Sequence, residues 1–369
     1  MKLLYNCVEI WYDFHDDARE EQDMKAEEFL KAVTAIPGVT GNERAAAEYI
    51  ADAFRPCADE VSITPLNCVI ARKKGPGPKV IICAHLDEIG MMVSKIEEDG
   101  CLRLESVGGV DPRVLPGMRV RVYGRDEMLL GVVGATPPHL LKDAERKSNY
   151  TFENLYVDMG MAPDQVRKKV RVGDTVCFEA RYAELKNDRV ATKTADDRAC
   201  VAIMLEAAKR LQDMKHEADL YFVATCQEEI GSYGAMTAGF ALEPDFGVAF
   251  DVCHADTPGA PPNSTSKITS LVATKGPFLN PFLVKKLEEA AKENGVELQI
   301  DVAGRNTWTD ADELSVTRFG VPTVLLSLPI KYMHTNVEAL DMHALKEGGR
   351  LLAHYLADMK ESWEAELWI

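Results

Sequence analysis

The chain has 369 residues, 46% of them hydrophobic, and carries 59 acidic against 42 basic side chains, for a formal charge of −17. That length exceeds a usual single domain, so two domains, or one domain carrying an insertion, are expected. The charge repels phosphate backbones and anionic lipid surfaces, which argues against nucleic-acid and membrane partners.

In chain order, residues 1–23 show no pattern that joins them to the rest of the chain and read as an N-terminal extension. Asn6, Glu9 and Asp13 interrupt any apolar signal-peptide region there. No run reaches the ~18 apolar residues of a membrane span, and a cytoplasmic protein is expected. Residues 24–36 have helical apolar spacing, and Thr40–Gly41–Asn42–Glu43 predicts a capping box opening a second helix. A Gly/Pro turn then precedes the apolar run Val80 to Ala84, of the continuous kind buried inside parallel sheets.

Residues 92–187 change character. Short β-like runs separated by turn residues, with little helical periodicity, predict an inserted all-β domain. From Arg198 onward the pattern alternates, with helices over 198–214, 282–295, 311–320 and 342–359 and strands over 219–226, 246–252, 296–302 and 322–329. The predicted fold class is α/β, a mostly parallel sheet with helices on both faces. Residues 24–91 and 188–369 form its main domain, interrupted by 92–187. Nine cysteines without a C-x-x-C pair predict reduced, mostly buried thiols rather than a disulfide frame or a zinc ribbon. A redox or ligand role for Cys226 or Cys253 is the lesser reading.

Open α/β sheets bind ligands beyond the carboxyl ends of their strands. The polar residues there are His85 and Asp87, Glu228 and Glu229, Asp251, and His334, with the acidic pair Asp196–Asp197 opening the helix at Arg198. Each alone has an ordinary explanation: a core histidine, a helix N-cap, a solvated edge, a turn. Convergence at one end of one sheet singles them out. Two imidazoles and several carboxylates, with no thiolate demanded, suit zinc, cobalt or manganese, and a carboxylate can bridge two ions. Asp87, two residues from His85 on an extended segment, can accept the second ring N–H of that histidine. Glu228 and Glu229 are adjacent, so on an extended chain they point to opposite faces and cannot share one job.

The motifs AHLDEIG, GVVGATPPHLL, YVDMG, TADDRAC, TCQEEIGSYGA, FDVCHADTPG and PIKYMHTNVEALDM occur in this order. With them the chain resembles the tetrahedral aminopeptidase and glutamyl aminopeptidase family of dinuclear metallopeptidases over residues 24–360. The resemblance implies a zinc-exopeptidase-like fold with an inserted PDZ-like dimerisation domain. It implies that His85, Asp196 and Asp251 hold one divalent ion, that Asp196, Glu229 and His334 hold the other, and that the Asp196–Asp197 peptide bond is cis. Glu228 would be the general base and Asp87 the partner of His85. The implied activity is removal of N-terminal residues from short peptides by a water bridging two metals, with zinc foremost and cobalt or manganese as alternatives. Dimers closing into a tetrahedral dodecamer are the implied assembly.

Two rivals stand beside this reading. An endoglucanase-like glycoside hydrolase needs two carboxyls facing each other about 5–10 Å apart and no metal, which adjacent glutamates do not supply. A non-catalytic scaffold particle would have lost a ligand or the base, yet every position holds a competent residue. Arg305, Asn306 and Trp308 form a bulky cluster where smaller residues are expected, which leaves the preferred N-terminal residue open.

Overall fold

The computed structural model describes residues 24–142, 147–261 and 263–367; the extension expected over 1–23 lies outside the described residues. The chain divides into two compact units. The larger comprises Met24–Glu88, Arg181–Met333 and Val337–Ile369, and the smaller Ile89–Ala180 with His334–Asn336.

The larger unit opens with helices α1 (Ala26–Ala35) and α2 (Arg44–Phe54) and strands β1 (Glu60–Ile63), β2 (Val69–Lys73) and β3 (Lys79–His85). The chain then builds the smaller unit from β4 (Gly90–Ile96), β5 (Leu102–Val107), β6 (Arg119–Tyr123), β7 (Met128–Ala135), β8 (Leu155–Asp158), helix α3 (Pro163–Lys169) and β9 (Thr175–Phe178). It returns through β10 (Ala183–Leu185), β11 (Arg189–Thr192), α4 (Ala195–Arg210), β12 (Asp219–Thr225), α5 (Tyr233–Leu242), β13 (Phe246–His254) and β14 (Leu271–Lys275). It ends with α6 (Pro281–Glu293), β15 (Leu298–Val302), α7 (Asp310–Val316), β16 (Thr323–Ile330), β17 (Glu338–Asp341) and α8 (Met342–Asp358).

Eight strands form one sheet in the order β1-β2-β12-β3-β13-β16-β14-β15, and β10-β11-β17 form a small second sheet. The pairings β12–β3, β3–β13, β13–β16 and β14–β15 are parallel. Those of β1–β2, β2–β12 and β14–β16 are antiparallel. The sheet is therefore mixed, parallel in four of its seven pairings and antiparallel in the other three. The five-residue loop 64–68 between β1 and β2 is too short for a crossover, so that edge has to be antiparallel. In the parallel centre, β12 and β16 are buried along their whole length, which is why apolar residues dominate both, with Asp219 and Thr225 at the ends of β12 and Thr323 and Ser327 in β16 as their buried polar positions.

The β-rich insertion is a closed six-stranded barrel, β4-β5-β8-β7-β6-β9, filled by residues such as Leu104, Val122, Val133, Val157 and Phe178. One local expectation fails. The Thr40–Glu43 capping box is not formed, since Glu43 makes no side-chain cap to α2. Its Oε1 instead accepts the Gly41 N–H at 2.6 Å, and the Thr40 hydroxyl donates to Asp87 Oδ2 at 2.7 Å. Helix α4 is regular from Arg198 onward, as its apolar pattern suggests, while Asp196 and Asp197 in its first turn are not helical. Its Arg198 is fully buried and donates to the carbonyls of Leu86, Val33 and Ile36, which fixes the end of β3 against α1.

Candidate metal centre and active site

The parallel register of the central strands builds the site. Thr225 at the end of β12 pairs with His85 at the end of β3, and Asp251 lies two residues past the Ala249–Cys83 pair of β13 and β3. The first turn of α4 adds Asp196 and Asp197, joined by a cis peptide bond and held out of helical geometry. Beyond β12 the chain turns sharply at Gln227, φ 57°, into the single 3-10 turn Glu228–Ile230.

Ligand-type atoms gather in two sets within 4.8 Å: His85, Asp196 and Glu229, and His85, Asp197 and Asp251. Five of the predicted residues, His85, Asp196, Glu228, Glu229 and Asp251, lie together with Asp87 in the larger unit. His334 is grouped with the smaller unit, its ring Nδ1 3.0 Å from the carbonyl oxygen of Gly109, and neither donor set includes it. Asp197 joins Asp251 where the sequence reading placed Asp196. Nothing in residue type separates two neighbouring aspartates; the acidic pair was the visible signal.

The orientation of His85 is set from behind. Its Nδ1 lies 3.1 Å from the backbone oxygen of Asp87, which can only accept, so Nδ1 carries the proton and Nε2 faces Asp196 Oδ1 at 3.1 Å. The Asp87 carboxylate is 3.5 Å from the same ring nitrogen, yet its shorter contacts go elsewhere. Besides the Thr40 hydroxyl, it accepts the backbone N–H of Glu228 at 3.1 Å and of Glu229 at 3.3 Å. Burial opposes its charge, but His85 and these donors outweigh burial and hold its pKa low.

The electrostatics call for a cation. Burial pushes the carboxyls of Asp197, Asp251 and Glu229 well above the usual range, and the charges of neighbouring carboxylates add to it. Glu228 is pushed up to about 9, first by burial and then by Asp251, Asp310 and Asp196, against the opposing charge of His85. On His85 burial disfavours the charged ring, but the hydrogen bonds to Asp196 and Asp87 prevail and raise its pKa. Asp197 Oδ1 is buried with no hydrogen-bond partner, although Oδ2 accepts the backbone N–H of His85 at 3.2 Å. Buried acids beside one imidazole, with an unpartnered carboxylate oxygen, form a donor set that suits a divalent metal ion, which binds the ionised acids and the neutral ring. Asp310 stands behind the site, its Oδ2 accepting the Thr225 hydroxyl at 2.5 Å while Oδ1 has no hydrogen-bond partner. The sequence reading did not single it out, because it lies at a helix start far along the chain.

A mixed α/β sheet that carries such donors at the ends of its parallel strands offers a candidate site for a divalent cation. The sequence profile of the M42 glutamyl aminopeptidase family matches residues 67–351. A lysyl aminopeptidase from Pyrococcus furiosus is 37% identical over 342 residues, covering 90% of this chain and 97% of that protein. The fold matches a TET aminopeptidase from a marine sediment archaeon of the Thaumarchaeota with a TM-score of 0.88 at 28% identity, over 93% of this chain and 98% of that one. It also matches the Pyrococcus horikoshii TET1 peptidase, reported to assemble into a tetrahedron or a large octahedral shell, with a TM-score of 0.79 at 30% identity, over 91% and 100% of the two chains. The chain belongs to the M42 glutamyl aminopeptidase family and is a peptide-bond hydrolase.

Proposed function

We propose that the protein removes N-terminal residues from short peptides, with His85, Asp196, Glu229, Asp251 and His334 holding two divalent cations, Asp197 close beside them, and Glu228 acting as general base. The observation that carries this reading is the position of Glu228. Its Oε2 lies 3.8 Å from His85 Nε2, beside the donor sets yet a member of neither. Bound divalent cations supply Lewis acidity that polarises the scissile carbonyl and acidifies water. Glu228 takes the proton of the attacking water and returns it to the departing amine. Asp87 fixes the turn that carries both glutamates. Imidazole with carboxylates favours zinc, with cobalt and manganese as alternatives.

Eight described cysteines are free thiols, which accords with a reducing, cytoplasmic setting. Among the described residues no helix is long and apolar enough to cross a membrane. In β7 of the barrel, Leu130 and Val132 are 44% and 45% exposed while Val133 faces the core. Apolar side chains left on that face support a homo-oligomer that forms dimers through the barrel, in the way a PDZ-like insertion would. The likeness to the TET1 peptidase, which can assemble into a tetrahedron or a large octahedral shell, supports a closed assembly of such dimers, the tetrahedral dodecamer being the form proposed.

The test is a panel of aminoacyl amides, lysine and glutamate included, run with zinc, cobalt and manganese. Glu228→Gln is expected to keep its metal and lose about 10²–10⁴ in turnover, the scale of general-base catalysis. Glu229→Gln is expected to lower metal occupancy instead. Full activity in Glu228→Gln, or no cleavage of any amide by the metal-loaded parent, would overturn the reading.

A further inference from the structure

Behind the turn that carries the two glutamates lies a pair of nucleophiles with no part in that chemistry. The sulfurs of Cys68 and Cys226 are 3.1 Å apart, and both residues are fully buried. The antiparallel ladder of β2 and β12 brings them together: Val69 pairs with Ala224, leaving Cys68 just before one strand and Cys226 just after the other. Both ends are held. The Cys68 N–H donates to the Thr64 hydroxyl at 3.0 Å, and the Cys226 carbonyl accepts the Gly234 N–H at 2.9 Å. Gly234, in the first turn of α5, sits so close that a Cβ there would lie 2.5 Å from Cys226 N and 3.0 Å from Cys68 Sγ.

We propose that Cys68 and Cys226 form a reversible disulfide under a hydroperoxide, and that its closure displaces the segment 226–229 and suppresses turnover. A disulfide spans about 2.05 Å, so the sulfurs must approach by roughly 1 Å. Cys226 is two residues from Glu228, and a misplacement of about 1 Å at a reacting group can cost on the order of 10²-fold. One thiol releases its proton and the thiolate attacks a peroxide oxygen, breaking the O–O bond to give a sulfenic acid and a hydroxide that takes up that proton as water; the second thiol attacks the sulfenic sulfur, the S–S bond forms, and the sulfenic hydroxyl leaves with the second thiol's proton as another water. Two electrons pass from the sulfurs to the peroxide. A dithiol returns them. Full burial restricts the oxidant to a small uncharged molecule such as hydrogen peroxide.

The experiment uses the full chain loaded with zinc, which does no redox chemistry of its own. After graded hydrogen peroxide and catalase, remaining thiols are alkylated in denaturant, the chain is digested without reductant, and the Cys68–Cys226 peptide pair is quantified by mass spectrometry beside turnover. The expected result is accumulation of that pair with a loss of turnover of tenfold or more, reversed by dithiothreitol. Cys68→Ala, or Cys68→Ser if alanine impairs folding, should keep its own untreated rate at the same dose. Three results would each overturn the proposal: no cross-linked pair, a pair without loss of turnover, or equal inactivation of the Cys68 variant. The cross-link is read on the chain itself, so its absence leaves the aminopeptidase reading standing.

Discussion

Asparagine at position 87 tests the best-defined contact set of the site. The Asp87 carboxylate is fully buried and accepts from the Thr40 hydroxyl at 2.7 Å, the Glu228 N–H at 3.1 Å and the Glu229 N–H at 3.3 Å. The first and third share Oδ2 and the second uses Oδ1. An amide has one acceptor oxygen, so in either orientation its NH2 group confronts a backbone N–H of the turn. At least one hydrogen bond to a charged acceptor is lost, a contribution of about 1.5–3 kcal/mol. If that energy holds the two glutamates in their productive positions, turnover falls by about 10–150-fold, at 1.36 kcal/mol per factor of ten. Steady-state kinetics on the best amide substrate, with metal analysis and a melting curve, measures this. Turnover within threefold of the parent, in a folded variant with full metal content, would refute the positioning role.

Three further outcomes are expected. Lys193→Met should destabilise the fold by about 3–5 kcal/mol in denaturant unfolding, because Lys193 Nζ pairs with Glu88 Oε2 where both side chains are buried, and the carboxylate would lose its paired cation and keep only the charge of Arg198. A loss under 1 kcal/mol would show that the Thr194 hydroxyl and Gly38 N–H satisfy Glu88 unaided. Burial raises the Asp219 pKa but the bonds from Arg72 and Tyr221 outweigh it, so the folded value is depressed. Its contribution is then complete above the unfolded value of about 3.9 and is lost as pH falls through the lower folded value. Asp219→Asn should flatten that acid limb of the stability curve, and an unchanged limb would count against the pair. Chelation should abolish turnover and lower the melting temperature, with both restored by zinc, since a ligand at a hundred times its Kd stabilises by about 2.7 kcal/mol. A chelated protein that melts at the parent temperature would speak against a buried metal.

The central parallel strands were legible because a strand buried on both faces is mostly apolar, as the runs Leu220–Ala224 of β12 and Val324–Leu326 of β16 are. The polar residues that break those runs at their ends, His85 and Glu228–Glu229, were legible for the same reason. Helix α5 was not: YGAMTAGFAL has no charged residue to mark a solvent face, so no 3.6-residue alternation appears. Thr40 was misread because its side chain had a partner 47 residues away, which local capping rules cannot see. Asp87 shows the same limit at atomic scale. Its spacing from His85 announced the contact, which the backbone oxygen makes at 3.1 Å and the carboxylate at 3.5 Å, but the carboxylate's shorter bonds to the 228–229 amides were not visible in the spacing.

The two glutamates diverge for a different reason from the one adjacency on an extended chain suggests. Glu228 and Glu229 are not extended; they open a 3-10 turn reached through the left-handed Gln227 and left through Gly231 at φ 139°. With about three residues per turn, neighbours point roughly a third of a revolution apart, which separates them as the pleat of a strand would but in another direction. Their amides meet opposite oxygens of Asp87, so a single buried carboxylate registers both residues at once. Glu229 is thereby carried to His85 and Asp196, and Glu228 is held beside the donors without joining them. The Gly234 N–H and the Tyr233 N–H close the loop onto the carbonyls of Cys226 and Gln227, so the turn is fixed at both ends. A one-residue shift in this turn would change which glutamate joins His85 and Asp196, and the proposed division between ligand and base would therefore rest on the tertiary clamp from Asp87 and Thr40 rather than on the order of the two letters.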